Sequence, residues 1–318
     1  MPALDSPGAD ASTAVSTSPG AEPGGAAGAP RVESTARTYL RARRGWRAVD
    51  LGELWHAREL VWIFMLRDVK VRYKQTLLGL TWAVVVPVVQ VLVFTVVFGS
   101  LLGVGARVNR AAGRDLPYPL FALTGQLVWN FFKMAIDGAS MSLLANTELV
   151  RKIYIPRLVL PFAAVGKPAM DTALAFLLMI GLTAWYAMQG QVAPPSPGRL
   201  VLGLVFSAGA VLPALGGGLI VAAITVTYRD LQHVLPLFTS LLFFATPVIY
   251  SVEVLPPRFA WTIYLNPVAG FVQANRAAVL NLPFDWTGIA TSAALSVLLL
   301  VGGLFYFART ERRFADMA

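Results

Sequence analysis

Two acid–base pairs repeat one spacing. Lys133 with Asp137 and Lys167 with Asp171 stand four residues apart, so on helices each pair shares a face and can neutralise itself. At membrane depth such groups cost about 2.5 to 3.5 kcal/mol each, so they pair, reach back to the interface, or relay a proton or ion. A basic group, Arg67, Lys70, Arg72 and Lys74, suits a phosphate-bearing headgroup and equally suits plain anchoring at a membrane surface. Other chemistry is poorly supplied. The chain has no cysteine, which excludes disulfides and thiolate sites, and its two histidines, His56 and His233, are too far apart in sequence to suggest a zinc cluster. Gly166-Lys167 runs into Pro168 without the upstream glycine of a phosphate loop, so the chain has no Walker-type ATP site of its own. Neither an HExxH helix nor a Ser/His or paired-acid arrangement is found.

The elements that must position these residues are membrane helices. Of 318 residues, 56% are hydrophobic and only 14% charged, against about 25% in soluble domains, and mean hydropathy is +0.63. Continuous runs such as Ala83 to Val86 and Leu298 to Val301 exclude the alternation of a transmembrane barrel. The expected class is an all-α polytopic membrane protein with six transmembrane helices, at about 77–102, 117–138, 169–188, 200–226, 231–250 and 288–308. Before them, residues 1–49 read as a disordered low-complexity tail without the basic start and apolar stretch of a signal peptide. Residues 50–76 read as an amphipathic helix lying in the interface. Asp50 and Glu53 open it as a capping box, and Leu51, Leu54, Trp55, Val61, Trp62 and Met65 fall mainly on one face. Prolines and glycines punctuate the spans, notably Pro87, Pro213, Gly216-Gly217-Gly218, Pro236, Pro247 and Gly302-Gly303; close packing or gating accounts for them.

Charge orients the spans. Everything before span one through Lys74, the turn after span two, the turn after span four and the C-terminal segment together hold 19 of the 26 Lys and Arg, and the opposite loops hold 6. Both termini are therefore expected in the cytoplasm, and the formal charge of +9 is a product of topology, with no nucleic-acid partner implied. On the cytoplasmic side, Asn146 to Pro161 starts with an N-cap candidate, Asn146, and the first-turn acid Glu148. It continues through Leu149, Val150, Ile153 and Tyr154 and stops at Pro156. A short helix along the membrane follows from that pattern, offering Arg151, Lys152 and Tyr154 to a partner. On the outer side, Ser251 to Phe284 splits into Pro256–Leu265 and Pro267–Leu280, each begun by a proline, with Trp261, Tyr264 and Phe271 suited to interfacial depth. They anchor the chain or re-enter the membrane as a gate.

Four stretches resemble one family. RDVKVRYKQTLLGLTWAVVVPVVQVLVFTVVFG (Arg67 to Gly99), NTELVRKIYIPRLVLP (Asn146 to Pro161), TYRDLQHVLPLFTSLLFFATPVIY (Thr227 to Tyr250) and LNPVAGFVQANRAAVL (Leu265 to Leu280) are similar, in order, to ABC-2 type permeases that export lipid-linked polysaccharides such as O-antigen and teichoic acid. The resemblance covers about residues 50 to 318. It implies a permease in the bacterial cytoplasmic (inner) membrane that works as a homodimer with two copies of a separate cytoplasmic ATPase, which binds ATP and Mg, so that this chain needs no cofactor. By the same resemblance Asn146, Glu148, Leu149, Arg151, Lys152, Ile153, Tyr154, Pro156 and Arg157 form the coupling helix on the ATPase. Trp261, Tyr264, Asn266, Pro267 and Phe271 belong to the outer gate, and spans one and five line the passage. Arg67, Lys70, Arg72 and Lys74 then become candidates for the polyprenyl diphosphate headgroup. Trp82, Phe94, Phe98, Phe243, Phe244 and Tyr250 become candidates for stacking on sugars in the passage. Two rivals stay open: an ABC-2 exporter of a drug or other lipid, and a membrane glycosyltransferase.

Overall fold

The computed structural model describes residues 51–74, 81–152 and 155–314. Asp50, Ile153, Tyr154 and the residues 1–49 of the tail lie outside them. Among the described residues the fold is helical without strands. In chain order it runs α1 (Leu51–His56), α2 (Arg58–Lys74), α3 (Trp82–Phe94) with a π-helical continuation Thr95–Leu101, α4 (Val104–Ala112), α5 (Tyr118–Ala145), α6 (Thr147–Lys152) and α7 (Val159–Ala164). It continues through α8 (Gly166–Met188), α9 (Pro197–Gly209), α10 (Val211–Thr225), α11 (Leu231–Ala245), α12 (Pro257–Tyr264), α13 (Ala269–Val279) and α14 (Trp286–Phe314).

The axis of the bundle is α5. Its 28 residues reach about 42 Å, and nineteen of them are buried against α8, α10, α13 and neighbouring helices. It therefore separates two ends. At its start lie α4, α13 and the loop before α14; at its finish lie α6, α7 and α2. The helix carries the polar side chains Gln126, Asn130, Lys133 and Asp137, the first buried and the last two 40% and 35% exposed, and Lys133 does pair with Asp137 across one turn at 2.9 Å.

Four helical stretches among the described residues are long and apolar enough to cross a membrane: Trp82–Leu101, Val159–Met188, Pro197–Thr225 and Trp286–Thr310. Two expected spans differ from that simple form. α5 is long enough but is more polar, as befits a helix surrounded by protein. The expected helix 231–250 stops at Ala245, about 22 Å long against a hydrocarbon core of about 30 Å. Pro247 is the reason: it has no N–H to donate and drives the preceding Thr246 into an extended conformation, φ −101°, ψ 134°. Residues 246–249 continue as buried irregular backbone, and Tyr250 after them is half-buried.

The other boundaries move for local reasons. The helix expected at 200–226 is two pieces meeting at Ala210, just before Pro213, and the third span starts earlier, because α7 and α8 follow one another through Val165. The segment before the first span is also two helices, and its apolar residues do not share one face. Leu54, Val61 and Phe64 turn inward on Leu149, Ile155 and Val159, while Trp55, Trp62 and Ile63 stay exposed at 69%, 56% and 57%. Packing on α7 and α8 takes one face, and the tryptophans cover the other.

Small residues set the closest helix contacts. A Cβ at Gly216 of α10 would lie 2.6 Å from the backbone of Leu299 and Leu300 in α14, and one at Gly303 would lie 2.3 Å from the Gly216 carbonyl oxygen. Backbone thus meets backbone, and the packing reading of these glycines holds. Gly302, one residue away, faces open space. Gly216→Ala is expected to destabilise the purified protein by about 1–3 kcal/mol through overpacking, whereas Gly302→Ala leaves the melting temperature equal or raised. Thermal unfolding in detergent compares the two, and equal effects would refute the seam.

Candidate functional site

Three places gather the residues singled out by sequence. At the finish of α5, Asn146 starts α6 through its backbone, its carbonyl accepting from Leu149 and Val150. Its side chain does not cap α6 as expected. The amide donates backward to the Ser142 carbonyl at 2.8 Å, and its oxygen accepts from Arg67 at 3.2 Å. Arg67 also pairs with Asp68 at 2.8 Å and stacks over Phe64, with its guanidinium carbon 4.8 Å from the ring centre. The first member of the basic group is thus tied to the first residue of the segment expected to couple. Lys70 is exposed; the side chains of Arg72 and Lys74 lie outside the described ones.

α6 is two-faced. Leu149 and Val150 pack inward beside Leu143, Leu158 and Val159, whereas Glu148 and Lys152 point out, 77% and 74% exposed and bridged at 3.3 Å. Pro156 ends the segment half-buried, its carbonyl accepting from Val159, and Arg157 is half-buried beside it. The Arg151 side chain, Ile153 and Tyr154 lie outside the described residues.

Midway along the bundle the aromatic candidates converge. Phe94 lies 5.7 Å from Phe98 along α3 and 5.8 Å from Phe243 on α11, and Phe243 lies 5.4 Å from Phe244. Trp129 of α5, which the sequence reading passed over, meets Phe243 at 5.5 Å, so Phe243 joins the three helices. Tyr250 packs on the same core and donates its hydroxyl to the Phe244 carbonyl at 3.0 Å. Phe244 is 62% exposed, so the set ends at the surface of the chain. Trp82 stands apart at the start of α3, 46% exposed beside a small, mainly apolar pocket that Gln126, Asn130 and Asp171 also line. There Gln90 of α3 accepts from Gln126 at 2.6 Å and from Asn130 at 3.0 Å. A cavity of about 560 Å³, almost wholly apolar, opens between α5, α10, α11 and α12 and reaches Tyr250 and Asn266.

At the start of α5 the two expected short helices are present as α12 and α13, and they differ in kind. α12 exposes Trp261 at 59% and keeps Tyr264 half-buried, its hydroxyl 3.4 Å from Asp285. Burial and the Asp285 carboxylate together hold the Tyr264 phenol above its ordinary pKa. α13 is an interior helix with ten of its 11 residues buried. Phe271, expected at interfacial depth, is 5% exposed in the core, because α9, α14 and α5 enclose it. Asn266 is buried between α12 and α13 and donates to Thr246 at 2.8 Å, and the Pro267 carbonyl accepts from Ser296 at 3.0 Å.

The comparisons with known proteins follow the same outline. The family model described as ABC-2 type transporter matches residues 59–280. The chain belongs to that family. Among curated ABC-2 relatives it is 26% identical over 260 residues to the O-antigen export system permease protein RfbA of Klebsiella pneumoniae, covering 81% of this chain and 95% of that one. It is 28% identical over 276 residues to the RfbA of Myxococcus xanthus, covering 83% and 97%. The polysialic acid transport protein KpsM of Escherichia coli is 24% identical over 218 residues, covering 68% and 79%.

In this ABC-2 chain the residues that sequence reasoning missed are arginines counted only as topology. Arg276 of α13, 4% exposed, donates to the Val248 carbonyl at 2.6 Å and the Tyr250 carbonyl at 3.5 Å and lies flat over Phe121 at 3.7 Å. Burial pushes its ionisation below the ordinary arginine value, and Tyr118, Glu253 and Tyr250 push it back up. Arg199 donates to the carbonyls of Ala277 and Leu282, and Arg114 to that of Leu280, so both cap the C-terminal end of α13. A charge count cannot separate an arginine that faces headgroups from one that faces a helix end. Arg276→Met is expected to lower stability by about 2–3 kcal/mol, since it strands buried carbonyls. Arg276→Lys is expected to restore little of this, because an ammonium neither forks nor stacks in the same way. Chemical unfolding in detergent reads both, and an unchanged midpoint for Arg276→Met would remove the clasp.

Proposed function

We propose that this chain is the transmembrane permease subunit of an ABC exporter that carries a polysaccharide, headed by a polyprenyl diphosphate, across the bacterial cytoplasmic membrane. The observation that carries the reading is the similarity to O-antigen and polysialic acid permeases along 81–83% and 68% of the chain; residues 59–280, which match the family model, include the proposed coupling segment, the aromatic set and α12–α13. Six crossings, both termini in the cytoplasm and a homodimer with two ATPase subunits complete the proposal. α5 supplies the central crossing, and α11 with residues 246–250 supplies the fifth.

Each group of residues then has a task. ATP and Mg sit on the partner ATPase, whose closure pushes on the exposed Glu148–Lys152 side of α6. The push passes through Asn146 to Arg67 and α2, and through Leu149 and Val150 to α7. Lys70, Arg72 and Lys74, with Arg67, attract the diphosphate at the cytoplasmic surface. Phe94, Phe98, Phe243 and Phe244 face the passage between two permeases together with Tyr250, and Trp82 stands at its inner mouth. Flat aromatic faces suit a polymer whose sugars vary, because they grip ring faces without demanding one hydroxyl pattern. α12 and α13, with Trp261, Tyr264, Asn266, Pro267 and Phe271, close the outer end.

Depletion of the protein is expected to leave finished polyprenyl diphosphate-linked glycan inside and to remove it from the outer face, read by mass spectrometry of both pools. Unchanged glycan on both sides would move the assignment to a drug or lipid exporter, and loss of the polymer itself to an enzyme. Lys152→Glu combined with Tyr154→Ala is expected to leave insertion intact and cut ATPase co-purification at least fivefold. Undiminished co-purification would remove the segment from the coupling path.

A further inference from the structure

The end of the bundle where α5 begins contains a cavity unlike the others. Its volume is about 210 Å³, the liquid volume of roughly seven waters. The walls come from α4, the start of α5, α13 and the segments on either side of α12–α13, with Ser251, Glu253, Gln273, Arg276 and Asp285 as the polar lining. The larger cavities are walled almost entirely by apolar side chains.

The polar groups are mixed in a specific way. Arg276 forms part of the wall from within the core, and its Nε has no hydrogen-bond partner although the rest of the guanidinium is engaged. A buried donor left over beside a cavity is a group awaiting an acceptor. Gln273, half-buried on the same helix, offers both a donor and an acceptor. Glu253, hydrogen-bonded by Ser251, and Asp285, which already accepts from Tyr264 and from the Gly288 N–H, are acceptors at the exposed rim.

This composition selects against ions of either sign. A phosphate would meet two carboxylates, and a metal ion would meet the buried guanidinium. A neutral polyhydroxyl suits it, because every hydroxyl both donates and accepts. The position matters as well: α3 continues through its π-helical turn and residues 102–103 into α4, and α11 continues through residues 246–250 into Ser251. The helices proposed to line the passage therefore run on into two walls of the cavity.

We infer that this cavity is a saccharide subsite at the outer mouth, which holds one sugar unit of the emerging chain through Arg276, Gln273 and Glu253. The inference rests on the export reading. A weak exit site of this kind biases the polymer outward between power strokes, since the captured unit must leave its hydrogen bonds before the chain can slip back.

Absence of native cysteine makes the test direct. A single cysteine at Gln273, or at Glu253 in a second variant, is labelled with benzophenone maleimide in the complete transporter, in membranes making the glycan, and irradiated. The same label at Leu177, 64% exposed on α8, is the reference. Glycan adducts at either cavity position at least fivefold above Leu177 are expected. Glu253→Gln with Gln273→Leu is expected to slow export threefold to tenfold at unchanged protein level and ATPase co-purification. If glycan is exported normally but labels the cavity no more than Leu177, or if the adduct is a phospholipid, the subsite is overturned and the export reading stands. Failure of the export reading itself shows separately, as glycan pools that do not respond to depletion.

Discussion

A polar backbone in an apolar surrounding must satisfy its hydrogen bonds inside the protein, and the stretch after α11 is where that rule shapes the most. Pro247 ends the helix, so the carbonyls of Ala245, Val248, Ile249 and Tyr250 need outside donors. Asn266 reaches the first, Arg276 the second and fourth, and the Tyr118 hydroxyl the third. These side chains come from α5, α13 and the turn before α13, so one broken helix fixes three other elements. Gly125 belongs to the same arrangement: a Cβ there would stand 2.6 Å from the Arg276 Nη2 and 2.7 Å from the Val248 carbonyl oxygen.

α13 is interior for this reason. A helix that supplies a guanidinium to buried carbonyls cannot sit loosely on the surface, and Arg114 and Arg199 close its far end. The exposed partner of the pair is α12, with Trp261 outward. Movement at that end is therefore cheaper for α12 than for α13. The other end of α5 is built more lightly: a six-residue helix, an exposed ion pair and the Arg67–Asn146 hydrogen bond connect the surface to α2 and α7. Such polar, half-exposed contacts rearrange at small cost.

Hydrophobic excess and helical runs were enough to determine a helical membrane protein, and the apolar stretches placed most helix starts, though not their ends, to within a turn. α12 and α13 were legible from their leading prolines. The short α6 was legible from its amphipathic pattern, and the Lys133–Asp137 pair from its spacing. These features depend on neighbours along the chain, which a sequence displays directly. Resemblance along four segments added the family, and the aromatic candidates on α3 and α11 do meet.

Tertiary structure alone decided which of these features faced what. That the tryptophans of α1 and α2 lie opposite Leu54 and Val61, that Phe243 joins Phe94 to Trp129, and that Phe271 is core all depend on packing partners far along the chain. The arginines show the division most clearly: in sequence Arg114, Arg199 and Arg276 are three charges of one topological sign. In the folded chain they close a helix and clasp a broken one, because the carbonyls they serve come from residues 26 to 166 positions away. Composition counts charges; only the fold brings each one to the group that needs it.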